Sequence, residues 1–172
     1  MTNKNSPPIL RPIKSNTLSN ELMHNPGHVE GQIAVRVPKE KVIFVGDTIF
    51  CECQPWFHTS DPDRWLKSLD FLQTFDMDCF IPGHGPICNK SYIPKQSAFI
   101  REWVTAVAVG IAKGLNKGEC IERISLMDRL PMITGTENSA SMVHRANVDR
   151  IFDFLQGKVE RFKRSAPFDE NS

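Results

Sequence analysis

Three residues in this sequence have the chemical type and the neighbours that a metal site asks for. They are His28 in HNPGH, Asp47 in VGDT and His84 in PGHG. Each has a glycine directly before it, and Gly85 also follows His84. A glycine beside a polar residue lets backbone approach closely where a site is built. Two imidazoles and one carboxylate suit a borderline-soft divalent ion; zinc is the expectation, and iron or manganese accept the same donors. Zinc lowers the pKa of bound water to about 7, which yields a hydroxide nucleophile at neutral pH. That chemistry serves hydrolysis of esters, thioesters, amides or phosphodiesters.

The elements between these residues must bring them together. Gln32–Val37 alternates, with Ile33, Val35 and Val37 on one face, and predicts a strand. Pro38–Lys41 is a connection of hairpin length. Val42–Val45 is a continuous apolar run and predicts a second strand, buried on both faces. A short connection makes the two strands antiparallel, so His28 before the first and Asp47 after the second share an edge. Ser60-Asp61-Pro62-Asp63 supplies a capping side chain, a proline and first-turn acids, and predicts a helix start. Trp65, Leu66, Leu69 and Leu72 continue it at helical spacing. The helix is expected to lead into a short strand at Asp78–Ile81, which Pro82-Gly83-His84-Gly85-Pro86 ends. A strand–helix–strand crossover makes that strand parallel to Val42–Val45, and its carboxyl end carries His84 back to the edge of Asp47.

Residues 1–21 read as an irregular arm, with Pro7, Pro8 and Pro12 among Asn and Ser. From Pro94 onward the pattern is helical: a first helix through Ile111 stopped by Gly114, Asn116 and Gly118, a second over Cys120–Leu126 and a third over Asn147–Leu155. Near the motif, His24 and Trp56 stand as supports of the site or walls for a substrate. His58 and His144 read as surface or hydrogen-bonded histidines.

Composition limits the partners. With 21 basic and 20 acidic residues the net charge is +1, so there is no global field for nucleic acid or an anionic membrane. The basic cluster Lys158, Arg161, Lys163 and Arg164 reads as a solvated helical turn. The longest apolar run is too short to span a bilayer, and no signal-peptide pattern opens the chain, which predicts a cytoplasmic protein. Five cysteines at irregular spacing imply no disulfide framework, and Cys51 and Cys53 are expected as free thiols on alternate sides of an extended segment.

The motifs HNPGHVEG, VIFVGDTIF and DCFIPGHG, in that order, resemble the second half of the metallo-β-lactamase-fold hydrolases, whose usual wording is close to TPGHTPG, LFTGDxLF and PGHG. DPDRWLKSLDFL resembles the helix these proteins place between the last two motifs. The likeness covers about residues 22–90. It implies a partial αββα sandwich within the α/β class, with a half domain at 22–92, a helical carboxy-terminal extension at 93–164 and a tail at 165–172. It also implies roles: His28 as a ligand of a first zinc, Asp47 bridging two ions and taking part in catalysis, and His84 as a ligand of a second.

The departures from the pattern shape the expectation. The family's upstream H-x-H-x-D-H signature is absent, since no H-x-H occurs anywhere. Val29 stands where the family usually has threonine, and Glu30 where it has proline. A catalytic zinc wants three protein ligands and a water, so the chain is expected to need more donors than it carries. A sheet without its partner layer exposes an apolar face, which predicts a homo-oligomer or a partner covering it. The leading reading is a truncated metal-dependent hydrolase acting on a small molecule. The alternatives are an inactive remnant acting as a binding or assembly module, and a single-ion site shared by His28, Asp47 and His84.

Overall fold

The computed structural model describes residues 10–14 and 19–161. Five strands form one sheet in chain order: β1 (Leu10–Lys14), β2 (Ser19–His24), β3 (Ile33–Val37), β4 (Val42–Phe50) and β5 (Cys79–His84). The first four run antiparallel to their neighbours, and β5 joins β4 in parallel. Helix α1 (Pro62–Leu72) makes the crossover between β4 and β5, and α2 (Tyr92–Ala112), α3 (Lys117–Arg123) and α4 (Ala140–Leu155) follow.

Local chemistry explains several boundaries. Asp61 caps α1 by accepting from the Arg64 N–H at 3.0 Å, with Pro62 in the first turn. A 3-10 turn at Pro38–Glu40 and Lys41 at φ 53° close the β3–β4 hairpin. Asn116 opens α3 through a reciprocal pair with Glu119: its side chain accepts from the Glu119 N–H, and the Glu119 carboxylate accepts from the Asn116 N–H.

The two faces of the sheet are unlike. Register places Met23, Ala34, Ile43 and Phe80 on one face, and all are essentially inaccessible. They share a single core with Trp65, Leu69 and Leu72 of α1 and Ile93, Ile100 and Trp103 of α2. On the other face lie Leu22, Ile33, Val35, Phe44 and Ile81, and none is buried. Ile33 is 53% exposed and Phe44 46%. The expected uncovered apolar face is therefore present.

Several sequence expectations need correction. Residues 1–21 are not all an irregular arm: β1 and the start of β2 fall within them, paired from Leu10–Met23 to Lys14–Ser19. The prolines concealed this because β1 is an edge strand, where one side of the backbone has no ladder to serve and proline is tolerated. Residues 1–9 and 162–172, including the expected tail, lie outside the described residues. β4 is not buried on both faces, because helices cover only one side, and it runs on to Phe50 rather than stopping at Val45. β5 likewise continues through Pro82 and Gly83 to His84. Gly118 lies inside α3, and α4 begins two turns before Asn147. Cys51 and Cys53 sit in a turn rather than an extended segment, and both are buried.

Candidate metal centre

The turn between β2 and β3 that carries His28 is pinned from below. Asn25, fully buried, donates to Thr48 Oγ1 at 2.8 Å. Ser68 Oγ of α1 donates to the Pro26 carbonyl at 2.5 Å, and the Asp61 N–H donates to the Gly27 carbonyl at 2.9 Å. Gly27 rests directly on α1: a Cβ there would stand 2.4 Å from Trp65 Cα. Only glycine allows this approach, which fixes the height at which His28 leaves the turn.

Asp47 is set by a disturbance within β4. Gly46 takes φ +52°, and the β4–β5 register shifts on either side of it. Such an irregularity re-aims the following side chain. Across the ladder, Gly83 makes room for the Asp47 carboxylate: a Cβ on Gly83 would lie 1.9 Å from Asp47 Oδ1. His84, one residue further, stacks on Phe50 with ring centroids 5.1 Å apart and planes 26° apart.

The three side chains meet. His28 Nε2 lies 3.6 Å from Asp47 Oδ2, and His84 Nε2 lies 3.4 Å from Asp47 Oδ1. His28 Nδ1 is 2.9 Å from the Trp56 carbonyl, which can only accept, so Nδ1 carries the proton and Nε2 presents its lone pair toward Asp47. A backbone carbonyl holding the far nitrogen is the usual support of a metal-binding histidine. Burial lowers the His28 pKa, against the opposing pull of Asp47 and with smaller lowering by His58 and His84. The ring is therefore biased to the neutral form that metals bind. His28 packs between the Phe50 and Trp65 rings, each with its centroid 5.4 Å away.

Donor types and donor number give different answers when tested against an ion. Two donors about 2 Å from one tetrahedral ion stand about 3.3 Å apart, so each histidine–aspartate pair has suitable spacing. The two pairs use different oxygens of one carboxylate, an arrangement for two positions rather than one. Each position then has one nitrogen and one oxygen, short of the three ligands a catalytic zinc takes. Among the described residues no group of three or more His, Cys, Asp or Glu side chains is placed to hold a metal ion. The residues present do not make a complete metal site.

The other candidates sit at the rim. His24 Nε2 bonds the Glu30 carbonyl at 2.6 Å, bracing the turn that carries His28. Trp56 supports His28 through its carbonyl, while its half-buried indole stands 5.9 Å from the His58 ring. His58 was set aside by sequence reasoning, yet its exposed ring lies edge-on to His28 at 5.7 Å. His144 bonds the Ile121 carbonyl at 2.8 Å, a hydrogen-bonded histidine as its sequence reading holds. Sequence reasoning also missed Asn147. This fully buried residue of α4 accepts from the Phe57 N–H at 2.8 Å and donates to the Pro55 carbonyl at 2.9 Å, holding the segment that presents Trp56. No local signal marks it, because its partners lie some ninety positions earlier.

The sequence model of the Metallo-beta-lactamase superfamily matches residues 13–84, from β1 to His84. A linear primary-alkylsulfatase from Pseudomonas sp. (strain ATCC 19151) is 24% identical over 121 residues, covering 64% of this chain and 23% of that protein. The chain thus spans about a quarter of the length of the curated relative it matches. Similar solved structures include the DIM-1 metallo-beta-lactamase, at 20% identity and TM-score 0.48, covering 54% of this chain and 44% of the other. Another is a metallo-beta-lactamase from Pontibacter korlensis, at 17% identity and TM-score 0.46, covering 54% and 46%. Residues 13–84 are thus similar to part of the Metallo-beta-lactamase superfamily. That superfamily is usually metal-dependent.

Proposed function

We propose that this chain supplies one half of a metal-dependent hydrolase site, and that polypeptide outside the described residues supplies the remaining donors. The observation that carries this reading is the pair of contacts on Asp47, one histidine to each carboxylate oxygen. His28, with its proton fixed on Nδ1, and His84, stacked on Phe50, present nitrogens on either side of that carboxylate. Zinc suits these donors best, with iron or manganese as the competing ions. The bond attacked is an ester, thioester, amide or related bond in a small molecule. The name of the alkylsulfatase relative makes a primary alkyl sulfate the first substrate to try.

The uncovered sheet face belongs to the same reading. Ile33 and Phe44 stand beside the edge that carries the site, so a second layer seated there can bring donors to it. A homo-oligomer or a distinct partner would fulfil this role. The inactive alternative, a remnant acting as an assembly module, has its own support in the shortage of donors.

Metal content and oligomeric state decide between them. The coding sequence upstream is read for an H-x-H-x-D-H stretch, and the purified chain is assayed for bound metal beside His28→Ala and His84→Ala. Under the hydrolase reading, metal bound by the unmutated protein falls in both variants, and adding the polypeptide that carries the missing donors raises occupancy and hydrolysis together. Negligible metal in every preparation, including the completed one, sinks this reading and leaves the remnant.

A further inference from the structure

Beside the site, the chain places two thiols together that the hydrolase reading does not use. Cys51 follows β4 and Cys88 follows β5, thirty-seven positions apart in sequence. The Cys51 N–H donates to the His84 carbonyl at 2.9 Å, extending the β4–β5 pairing one residue past Phe50. Cys88 folds back on β5: its N–H donates to the Phe80 carbonyl at 3.0 Å, and the Phe80 N–H donates to its carbonyl at 2.8 Å. The turn between is tight, since a Cβ on Gly85 would stand 1.7 Å from the Cys51 carbonyl oxygen and 3.1 Å from its Cα. These constraints bring the two side chains into a thiol–thiol hydrogen bond. Both cysteines are free; Cys51 is buried and Cys88 half-buried.

We propose that Cys51 and Cys88 are a redox pair that closes to a disulfide and ties the segment after Asp47 to the turn after His84. The oxidant is a low-molecular-weight disulfide. Cys88, the more accessible sulfur, attacks one sulfur of the reagent; the reagent's S–S bond breaks and one reagent thiol leaves with a proton. Cys51 then attacks the Cys88 sulfur of the mixed disulfide, and the second reagent thiol leaves with the second proton. Two protein thiols are oxidised and one reagent disulfide is reduced to two thiols. Burial raises the Cys88 thiol to about 12, so the attacking sulfur rests protonated at neutral pH and the pair closes slowly. Closure therefore speeds up as pH rises toward the alkaline range. The ring formed would enclose α1 and β5 and brace His84 from both sides.

This inference does not rest on the hydrolase reading, and its test needs no activity. The full chain is incubated with excess oxidised glutathione at neutral and mildly alkaline pH, and its mass is read without reduction. The expected result is a loss of two hydrogen atoms with no retained glutathione, reversed by dithiothreitol, and a peptide linking Cys51 to Cys88 in the digest. The closed form should melt at a higher temperature. Cys51→Ser should trap the mixed disulfide at Cys88, whereas Cys120→Ser should close as the parent does. Stable glutathione adducts on the parent chain, no reaction at either pH, or a link from Cys88 to Cys79 instead would each overturn the proposal.

Discussion

Single residues at this site act through the room they leave as much as through the atoms they carry. Gly83 illustrates this, because a methyl group there would occupy the place of Asp47 Oδ1. Gly83→Ala should move the carboxylate or part β4 from β5, lowering stability by about 1–3 kcal/mol in denaturant unfolding. It should also weaken whatever metal binding the chain shows, although it removes no donor. His28 gives a pH signature in the metal-free protein. Its pKa is lower folded than the ordinary 6.5, so below that pH the unfolded chain takes up the proton more readily. The stability from burying a neutral imidazole is thus full above pH 6.5 and drains as the solution is acidified. Melting temperature should fall more steeply between neutral and mildly acidic pH for the parent than for His28→Gln. Equal slopes would assign the acid sensitivity to other groups.

At the scale of elements, the site stands on helices that the superfamily match does not reach. That match stops at residue 84, yet α4 holds the Trp56 segment through Asn147, and Gln54 donates to the carbonyls of Leu126 and Leu130 in the α3–α4 connection. Asn147→Ala would orphan a buried carbonyl and a buried N–H, at a cost of about 1–3 kcal/mol for each unsatisfied group. The variant should unfold earlier in denaturant and release the Trp56 carbonyl from His28, a change that the His28 imidazole resonances would report. How much of this was legible follows from the range of each signal. Alternation at Ile33–Val37, the cap at Asp61 and the crossover through α1 are local patterns, and they sufficed to bring His28, Asp47 and His84 to one edge. The strand at Leu10–Lys14 was hidden because proline is read as a breaker unless the strand is known to be an edge. Asn147 and the neighbourhood of His58 were illegible because they arise from packing between distant segments.

The molecule as a whole is one-sided. One face of the sheet is sealed under α1 and α2 while the other presents Ile33 and Phe44 to solvent. Exposed apolar surface of this kind drives association. The isolated chain should therefore show concentration-dependent mass in light scattering, and Phe44→Lys should shift it toward the monomer without lowering its melting temperature, since this ring is half outside the core. A parent chain that stays monomeric over the whole accessible concentration range would remove the argument for a second layer. No helix among the described residues is long and apolar enough to cross a membrane.

The sheet's strand order has a further consequence, in time rather than in space. Because β1 to β5 lie side by side in chain order, each strand can pair with the one made just before it. The ladder can therefore grow as the chain leaves the ribosome, with only short loops to close among β1 to β4 and the α1 crossover before β5. Helix α1 comes between β4 and β5, but α2, which completes the cover, comes only after the last strand, and Asn147, which fastens the site's loop, comes later still. While only β1 to β4 have been made, both faces of the nascent sheet are bare, and for that interval the chain is at its most exposed to misassociation.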